Sequence, residues 1–394
     1  MNDLKPILCT KCVMDATIPE ITFDQNGKCV YCYIHESLEN AYPLGEKGKQ
    51  SIDQLFADIK RRGQGRDYDC VVGVSGGTDS TYLVHVLKEA GIRPLAAHFD
   101  NGWNTEVSVS NIKKITDALK VDLYTDVVVW DEFKDLLASF LRAGVPWADL
   151  PTDLGLTASL YKAAARHGIK DIIVGNNFRT EGKVPTAWNY GDSFFIRNIH
   201  KQFGTRPIRN VPTFSLFDIF WYAGVNRIQL RRPMYNMVFD KKAAQTLIKD
   251  KYGWVDYGGH HHESIFTRFV LSDWLINRFG IDKRKVSYSA LVRSGQMDRA
   301  EALQKLSQAP HDPEQIKRDR EYVLKKLEIS PDEFATLLRG PAKTHYDFAS
   351  YLPLIKGATG LVASVVNLIL PWKPTLFFEY EIKRKMSLAS NSQS

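Results

Sequence analysis

The feature that most constrains this chain is a short apolar run, Cys70-Val-Val-Gly-Val74, that passes directly into Ser75-Gly-Gly-Thr-Asp-Ser80. Tyr82, Leu83, Val86, Leu87 and Ala90 then recur at helical spacing, and Gly91 stands where a helix-terminating glycine is expected. A run of four or five apolar residues with no polar alternation suits a strand buried on both faces. Two glycines at the turn let the backbone approach a bound group closely, and the unpaired amides of the following helix supply donors and a favourable dipole for an anion. Ser75, Thr78 and Ser80 add hydroxyls. The loop lacks the longer glycine–lysine spacing of kinase-like phosphate loops, so transfer of a terminal phosphoryl group is not its natural chemistry. As a lone hexapeptide it reads equally well as a capped turn, and its position between strand and helix is what makes it a candidate site.

The same alternation continues along the chain. Leu95 to Phe99, Leu123 to Val129 and Ile172 to Val174 read as strands. Val109, Ile112, Ile115 and Leu119, then Phe133, Leu136, Leu137, Phe140 and Leu141, mark helix faces, and another helix is expected from about Thr152 to His167. Strands alternating with helices predict an α/β fold with a doubly wound parallel sheet, whose ligands bind outside the carboxyl ends of the strands. A short amphipathic helix is expected from Ser51, after a polar Gly45 to Gln50 linker. Residues 175–212, rich in Gly, Asn, Pro and aromatics, show no period and are expected as a long loop region. A helix from Asp240 to Lys251 and mostly helical structure from Ile265 to Leu338 complete the reading.

Four of the five cysteines lie in the first 32 residues as Cys9-x2-Cys12 and Cys29-x2-Cys32. This is double-knuckle metal spacing rather than a disulfide framework, with Asn26-Gly27 as the turn before the second pair. Four thiolates close a tetrahedron, so folding or docking is expected of a Zn²⁺ site there; an iron–sulfur cluster is the alternative filling. Cys70, within a strand, reads as a core residue. The N-terminus has neither secretory nor transit character, and a cytoplasmic location is expected. A net charge of +7 on 394 residues suits anionic ligands but is too diffuse to indicate nucleic acid, and none is expected as a partner.

Strand, SGGxDS and helix together resemble the pyrophosphatase-loop ATPases, which share the adenine nucleotide alpha-hydrolase-like fold. These cleave ATP between the α- and β-phosphates and adenylate an oxygen of the substrate. The resemblance implies ATP and Mg²⁺ as cofactors, with Ser75, Gly76, Gly77, Thr78, Asp79 and Ser80 at the phosphates. His98-Phe-Asp-Asn-Gly-Trp103 is similar to the segment lining the adenosine pocket, which makes Asp100 and Asn101 nucleotide candidates; the alternative is a plain turn. Gly175 and Asn176, at the exit of the last predicted strand, are further nucleotide candidates. Asn177, Arg179 and Glu181 are candidates for substrate, with loop capping as the alternative for Asn177 and Glu181 and a solvated surface charge as that for Arg179.

A narrower resemblance rests on Tyr257-Gly-Gly-His-His-His-Glu-Ser264, Ile265-Phe-Thr-Arg268, Phe279-Gly-Ile-Asp-Lys-Arg284 and Ser294-Gly-Gln-Met297. Together with the four-cysteine module and the loop, these resemble the N-acetyl sugar amidotransferases of surface-polysaccharide biosynthesis, over about Cys9 to Leu338. The resemblance implies conversion of an acetamido group on an N-acetylated, nucleotide-linked sugar to an acetamidino group, in O-antigen or lipopolysaccharide synthesis, with ammonia from a separate glutaminase. Asp79, His261, His262 and Glu263 are the catalytic candidates it brings forward. For the last three, metal binding, sugar positioning, proton transfer and purely structural roles all stay open. Two departures stand out: relatives often carry Lys at the position of Thr78, and Lys or Arg at that of His260.

On this reading residues 1–48 form a zinc-ribbon module and linker, 49–264 the ATP-binding domain, 265–345 a helical C-terminal region and 346–394 an apolar segment and tail. The tail, Leu352 to Leu370 followed by Lys383-Arg384-Lys385, is a marginal spanning candidate. It is a candidate for peripheral membrane contact, for partner docking or for packing on the main domain. The rival enzyme class is ATP-dependent tRNA thiolation, disfavoured because no cysteine follows Cys70. A self-contained glutamine-hydrolysing synthetase lacks its nucleophile here, and a zinc-ribbon interaction protein on a degenerate nucleotide fold is the non-enzymatic alternative.

Overall fold

In the computed structural model, residues 6–259, 262–357 and 375–391 are described. Helix α1 (Val30–Ala41) opens at the second cysteine pair, and α2 (Gly45–Gly63) leads to the sheet. The sheet chain then runs β1 (Cys70–Gly73), α3 (Thr78–Glu89), β2 (Pro94–Asp100), α4 (Glu106–Leu119), β3 (Leu123–Val127), α5 (Trp130–Ala143), α6 (Leu150–Arg166), β4 (Asp171–Ile173) and β5 (Gln229–Arg231). The strand order is β3-β2-β1-β4-β5, and every pairing is parallel. The expected doubly wound parallel sheet is therefore present, with one further strand, β5, at the edge.

The period of two along β1 divides the sheet's two cores. Cys70, Val72 and Val74 face Leu83, Val84 and Leu87 of α3, Ile112 and Ile115 of α4, and Ala244 of helix Lys241–Tyr252. Val71 faces the other way, onto Leu160, Tyr161, Ala163 and Ala164 of α6. The chain moves outward from β1 to β2 and β3, then returns to place β4 on β1's other side. That reversal opens a crevice at the carboxyl ends of β1 and β4, the place where such sheets bind ligands.

Two expectations about secondary structure are corrected. Gly45 to Gln50, read as a linker, is the first turn and a half of α2: Gly48 is buried against the Pro43 and Asn236 carbonyls, which leaves no room for a side chain. The aperiodic stretch 175–212 holds helix Ser193–Phe203, capped by Asp192 accepting from the Phe195 amide, with Phe195, Ile196 and Ile199 buried.

The third and largest core joins distant parts of the chain. It contains the four cysteines and α1, then Phe133, Leu137 and Phe140 of α5, then Phe266, Phe269 and Trp274 from the C-terminal helices. Each such aromatic contributes roughly 1.5–3 kcal/mol by burial. The last described helix, Thr375–Asn391, lies on α1. Its Glu379 is fully buried, paired with Lys183 at 2.8 Å and Lys383 at 2.9 Å, and accepts a hydrogen bond from Thr186 Oγ1 at 2.6 Å. Among the described residues no helix is long and apolar enough to cross a membrane. Most of the apolar tail segment, 358–370, lies outside the described residues.

Candidate active site

The loop after β1 is braced by its own serines. Ser75 and Ser80 hydroxyls lie 3.3 Å apart, the Gly77 amide donates to Ser75 Oγ, and Ser80 Oγ donates to the Gly77 carbonyl, each at 3.3 Å. Gly76 has φ +78, and any Cβ there would overlap the Ser108 carbonyl of α4. Its own carbonyl accepts from Trp254 Nε1 at 2.9 Å and Asn111 Nδ2 at 3.3 Å. This glycine is needed for fit against α4 and does not line the cavity. Gly77 is the N-cap of α3, so the first amides of that helix face the crevice. The Tyr257 hydroxyl lies where a Gly77 side chain would be and takes a hydrogen bond from the Thr78 amide. Burial, with Glu263 and Asp79 nearby, pushes the Tyr257 hydroxyl well above its usual range, so it stays protonated.

The crevice holds a cavity of about 490 Å³, within the range of small-molecule sites. From the expected residues it gathers Ser75, Gly77, Thr78, Asp79, Ser80, Asn101, Gly175, Asn176, Glu181 and Glu263. Gly175 passes 3.2–3.3 Å from the Asp79 backbone, measured from where its Cβ would be, so β4's exit and the first turn of α3 close on one another. Asn101 donates from Nδ2 to Thr152 Oγ1 at 3.1 Å, and Asn176 donates to Glu181 at 3.4 Å. The Glu263 backbone carbonyl accepts from the Thr105 amide at 2.9 Å, and the Ile265 amide donates to the Trp103 carbonyl. The start of the C-terminal helical region thus runs beside the loop after β2 and closes the cavity.

Other expected residues lie elsewhere. Asp100 accepts from the Gly102 amide and Asn104 Nδ2, capping its turn outside the cavity lining. Asn177 caps the short helix Phe178–Glu181, and Arg179 donates to the Tyr235 and Tyr42 carbonyls at 2.5 and 2.8 Å. Asn177 therefore caps its loop, and Arg179, for which the alternative is a solvated surface charge, is instead buried and ties two loops together. His262 packs near the His311 ring outside the lining, and burial, with Arg268 and His311 adding to it, pulls its pKa down to about 4. His261, like His260, lies outside the described residues.

Several lining residues were not singled out from the sequence: His98, Trp147, Asp149, Asp153, Lys241, Tyr257, Thr267 and Lys283. His98 Nδ1 is 3.1 Å from the Val74 carbonyl and Nε2 is 3.2 Å from Asn104 Nδ2. A carbonyl on one side and an amide donor on the other fix the Nδ1-protonated neutral tautomer, and burial depresses the pKa further from protonation. Thr267 Oγ1 donates to Asp149 at 2.5 Å, and Trp147 Nε1 donates to Asp153 at 2.6 Å. Tyr257, Thr267 and Lys283 stand inside motifs already noted, without a role assigned to them there, whereas nothing local to Trp147 marks it. No cysteine lines the cavity among the described residues; Cys70 is buried in β1, where burial pushes its thiol well up. The arrangement suits anion binding, positioning and charge neutralisation rather than covalent catalysis by a thiol.

The four cysteines form a separate centre. All are buried, their sulfurs lie within 4.8 Å of one another, and three of the pairs stand at 3.7–3.8 Å. A tetrahedral ion with metal–sulfur bonds of about 2.3 Å requires sulfur–sulfur edges of about 3.8 Å, so the set fits one mononuclear ion and is compatible with zinc. Amides of Lys11, Cys12 and Cys29 donate to Cys9 Sγ at 3.3–3.5 Å, as suits thiolate ligands. Arg293, at the end of helix Arg284–Arg293, reaches Cys12 Sγ at 3.1 Å and Cys32 Sγ at 3.4 Å. Arg299 donates to the Cys9 and Cys12 carbonyls.

Comparison with known proteins gives a local match and several distant ones. An uncharacterized protein of Methanocaldococcus jannaschii, MJ1599, is 25% identical over 171 residues, 43% of this chain. The chain spans 58% of that relative's length. Among solved structures, the NMN synthetase of Francisella tularensis aligns over 72% of this chain and 97% of its own, with 14% identity and a TM-score of 0.37. The NH3-dependent NAD synthetase of Campylobacter jejuni aligns over 75% and 97%, with 11% identity and a TM-score of 0.33. Over residues 263–359, the stretch that begins at the cavity's Glu263, the chain matches the family of the LPS biosynthesis protein WbpG-like C-terminal domain.

Proposed function

We propose that the protein is an ATP-dependent amidotransferase acting on an N-acetylated, nucleotide-linked sugar in lipopolysaccharide or related glycan synthesis. The observation that carries this reading is the Ser75–Ser80 loop at the N-terminus of α3, facing a cavity whose other wall begins the LPS-biosynthesis match at Glu263. In the proposed reaction the acetamido oxygen attacks the α-phosphorus of ATP and the bond to the bridging oxygen breaks, releasing pyrophosphate. Ammonia adds to the activated carbon, gives up a proton, and the carbon–oxygen bond breaks to release AMP and leave the acetamidino group. Loop amides and hydroxyls would hold the phosphates, with Mg²⁺ supplying further charge neutralisation when bound. Glu263 and Asp79, which both line the cavity, would orient substrate or accept the ammonia proton.

The cavity carries no thiol to hydrolyse glutamine, which supports ammonia delivery by a separate glutaminase. Zinc at the four cysteines would serve folding, since four thiolates leave no open position. The test is incubation with ATP, Mg²⁺, ammonium and a panel of nucleotide-linked N-acetyl sugars, reading AMP release and the small mass decrease when O is replaced by NH. Both signals with one sugar support the proposal. AMP release only with tRNA and a sulfur donor would replace it with thiolation.

A further inference from the structure

The cavity is proposed to receive a polyanion, yet its lining is rich in carboxylates: Asp79, Asp149, Asp153, Glu181 and Glu263. The loop offers amides and hydroxyls but no cationic side chain. Among the described residues, positive charge on the lining comes from Lys241 and Lys283. Lys283 is the N-cap of helix Arg284–Arg293 and so belongs to the C-terminal region, far along the chain from the loop.

Its surroundings are unusual for a half-buried lysine. The ammonium lies 3.9 Å from the centroid of the Trp147 ring, and among the described residues it makes no hydrogen bond or ion pair. Burial pulls its pKa down to about 8, while Asp153, Glu181 and Asp149 act through space to hold it up. It therefore keeps its charge at neutral pH, and its three donors are not committed to a protein oxygen. An aromatic face is a weaker partner for an ammonium than an anionic oxygen is. The seat is also firmly built. Helix Arg284–Arg293 is fixed at its far end by Arg293 on the cysteine centre, and along its length by Lys285 to Asp15 at 2.7 Å and by the Val13 amide donating to Ser289 Oγ. It packs on the short helix carrying Glu181, where Gly182 leaves room for Val286.

We propose that Lys283 is a phosphate-binding residue of this cavity, seated on Trp147 and moving its ammonium onto a phosphate oxygen when ligand enters. The proposal rests on the nucleotide-consuming reading above. It assigns to the C-terminal region the cation that the Thr78-bearing loop lacks. The phosphate can belong to ATP or to the diphosphate carrier of the sugar, and the two are separable.

The experiment measures binding by calorimetry for wild type, Lys283→Met and Lys283→Arg, using Mg-ATP alone and UDP-N-acetylglucosamine alone, with thermal melting as the check on folding. A lost charge-assisted contact to phosphate weakens binding roughly ten- to hundredfold. The expected result is a loss of that size in Lys283→Met for one of the two ligands, largely restored in Lys283→Arg and smaller at high salt. Loss with ATP assigns the contact to ATP, and loss with the sugar nucleotide assigns it to the carrier. Wild-type affinity of Lys283→Met for every ligand that wild type binds overturns the proposal and leaves the functional reading intact. Failure of wild type to bind either ligand removes both.

Discussion

Gly76 and Gly77 are adjacent in the loop, and the structure predicts opposite responses to the same substitution. At Gly76, alanine would hold φ +78, a left-handed conformation that costs a residue with a Cβ about 1–2 kcal/mol. The new methyl would overlap the Ser108 carbonyl oxygen and stand 2.9 Å from its carbon and 3.0 Å from its Cα. Carbon contacts are comfortable at about 3.5–4.0 Å, so the backbone of α4 must yield by roughly 0.5–1 Å. Overpacking of that kind costs about 1–3 kcal/mol. Against this, replacing glycine restricts the unfolded chain and returns about 0.4–1 kcal/mol. The balance for Gly76→Ala is a loss of about 2–4 kcal/mol. At Gly77 the backbone has φ −75, and the methyl would meet no backbone, only the ends of two side chains, the Tyr257 hydroxyl at 2.7 Å and Ser75 Oγ at 3.2 Å. Turning the Tyr257 hydroxyl away from the Thr78 amide costs about 0.5–1.5 kcal/mol and the entropic gain returns about 0.4–1 kcal/mol, so Gly77→Ala should change stability by no more than about 1 kcal/mol. Urea unfolding of the three proteins, followed by tryptophan fluorescence and circular dichroism, measures the difference. Equal midpoints for the two variants, or a Gly76→Ala loss under about 1 kcal/mol, would refute the claim that the first glycine is held by its fit against α4.

Three further outcomes are expected. Arg268→Ala leaves Asp319 buried without its two-point contact at 2.6 and 2.7 Å, and should lower stability by about 3–5 kcal/mol in the same urea assay, whereas a loss below about 1 kcal/mol would show the pair to be dispensable. Burial alone would raise the Glu379 carboxyl, but Lys183 and Lys383 outweigh it and hold the pKa at about 2, below the usual 4.5. Its contribution, about 3 kcal/mol, should therefore be fully present above pH 4.5 and lost as pH falls toward 2, so the stability gap between wild type and Glu379→Gln should narrow over that window. Cys12→Ser should abolish binding of one metal ion per chain, read by elemental analysis after dialysis; unchanged metal content would rule out the four-sulfur centre as its holder.

Local pattern made the sheet's centre legible. Strands β1 and β2 are buried on both faces, and their helices repeat apolar residues at fixed spacing, so Val72, Leu83 and Ile112 announce their side. Strand β5 did not show itself because three residues, Gln229, Leu230 and Arg231, carry no periodicity; parallel pairing with β4 makes them a strand. Helix Ser193–Phe203 did leave a signal, Asp192 followed by Phe195, Ile196 and Ile199 at helical spacing, hidden by the glycines and aromatics around it. For the site, the loop was readable because its chemistry is contiguous. Arg179 looked like a ligand by position, but whether a guanidinium meets a substrate or two backbone carbonyls depends on what folds against it. Lys283 and Trp147 meet only in three dimensions, through contacts that no local period encodes.

The clamp on the cysteine centre has a consequence for the order in which this chain is made. Cys9 to Cys32 leave the ribosome long before Arg293, which follows Cys32 by 261 residues. The helix that lies over α1 comes later still. At roughly 5–20 residues per second, that interval is on the order of 10–50 s. Throughout it, Tyr31, Ile34 and Leu38, all fully covered in the finished molecule, have only part of their cover. The nascent segment around the cysteines therefore waits, only partly covered, for residues made much later, and a chaperone acting during synthesis would find its handle there.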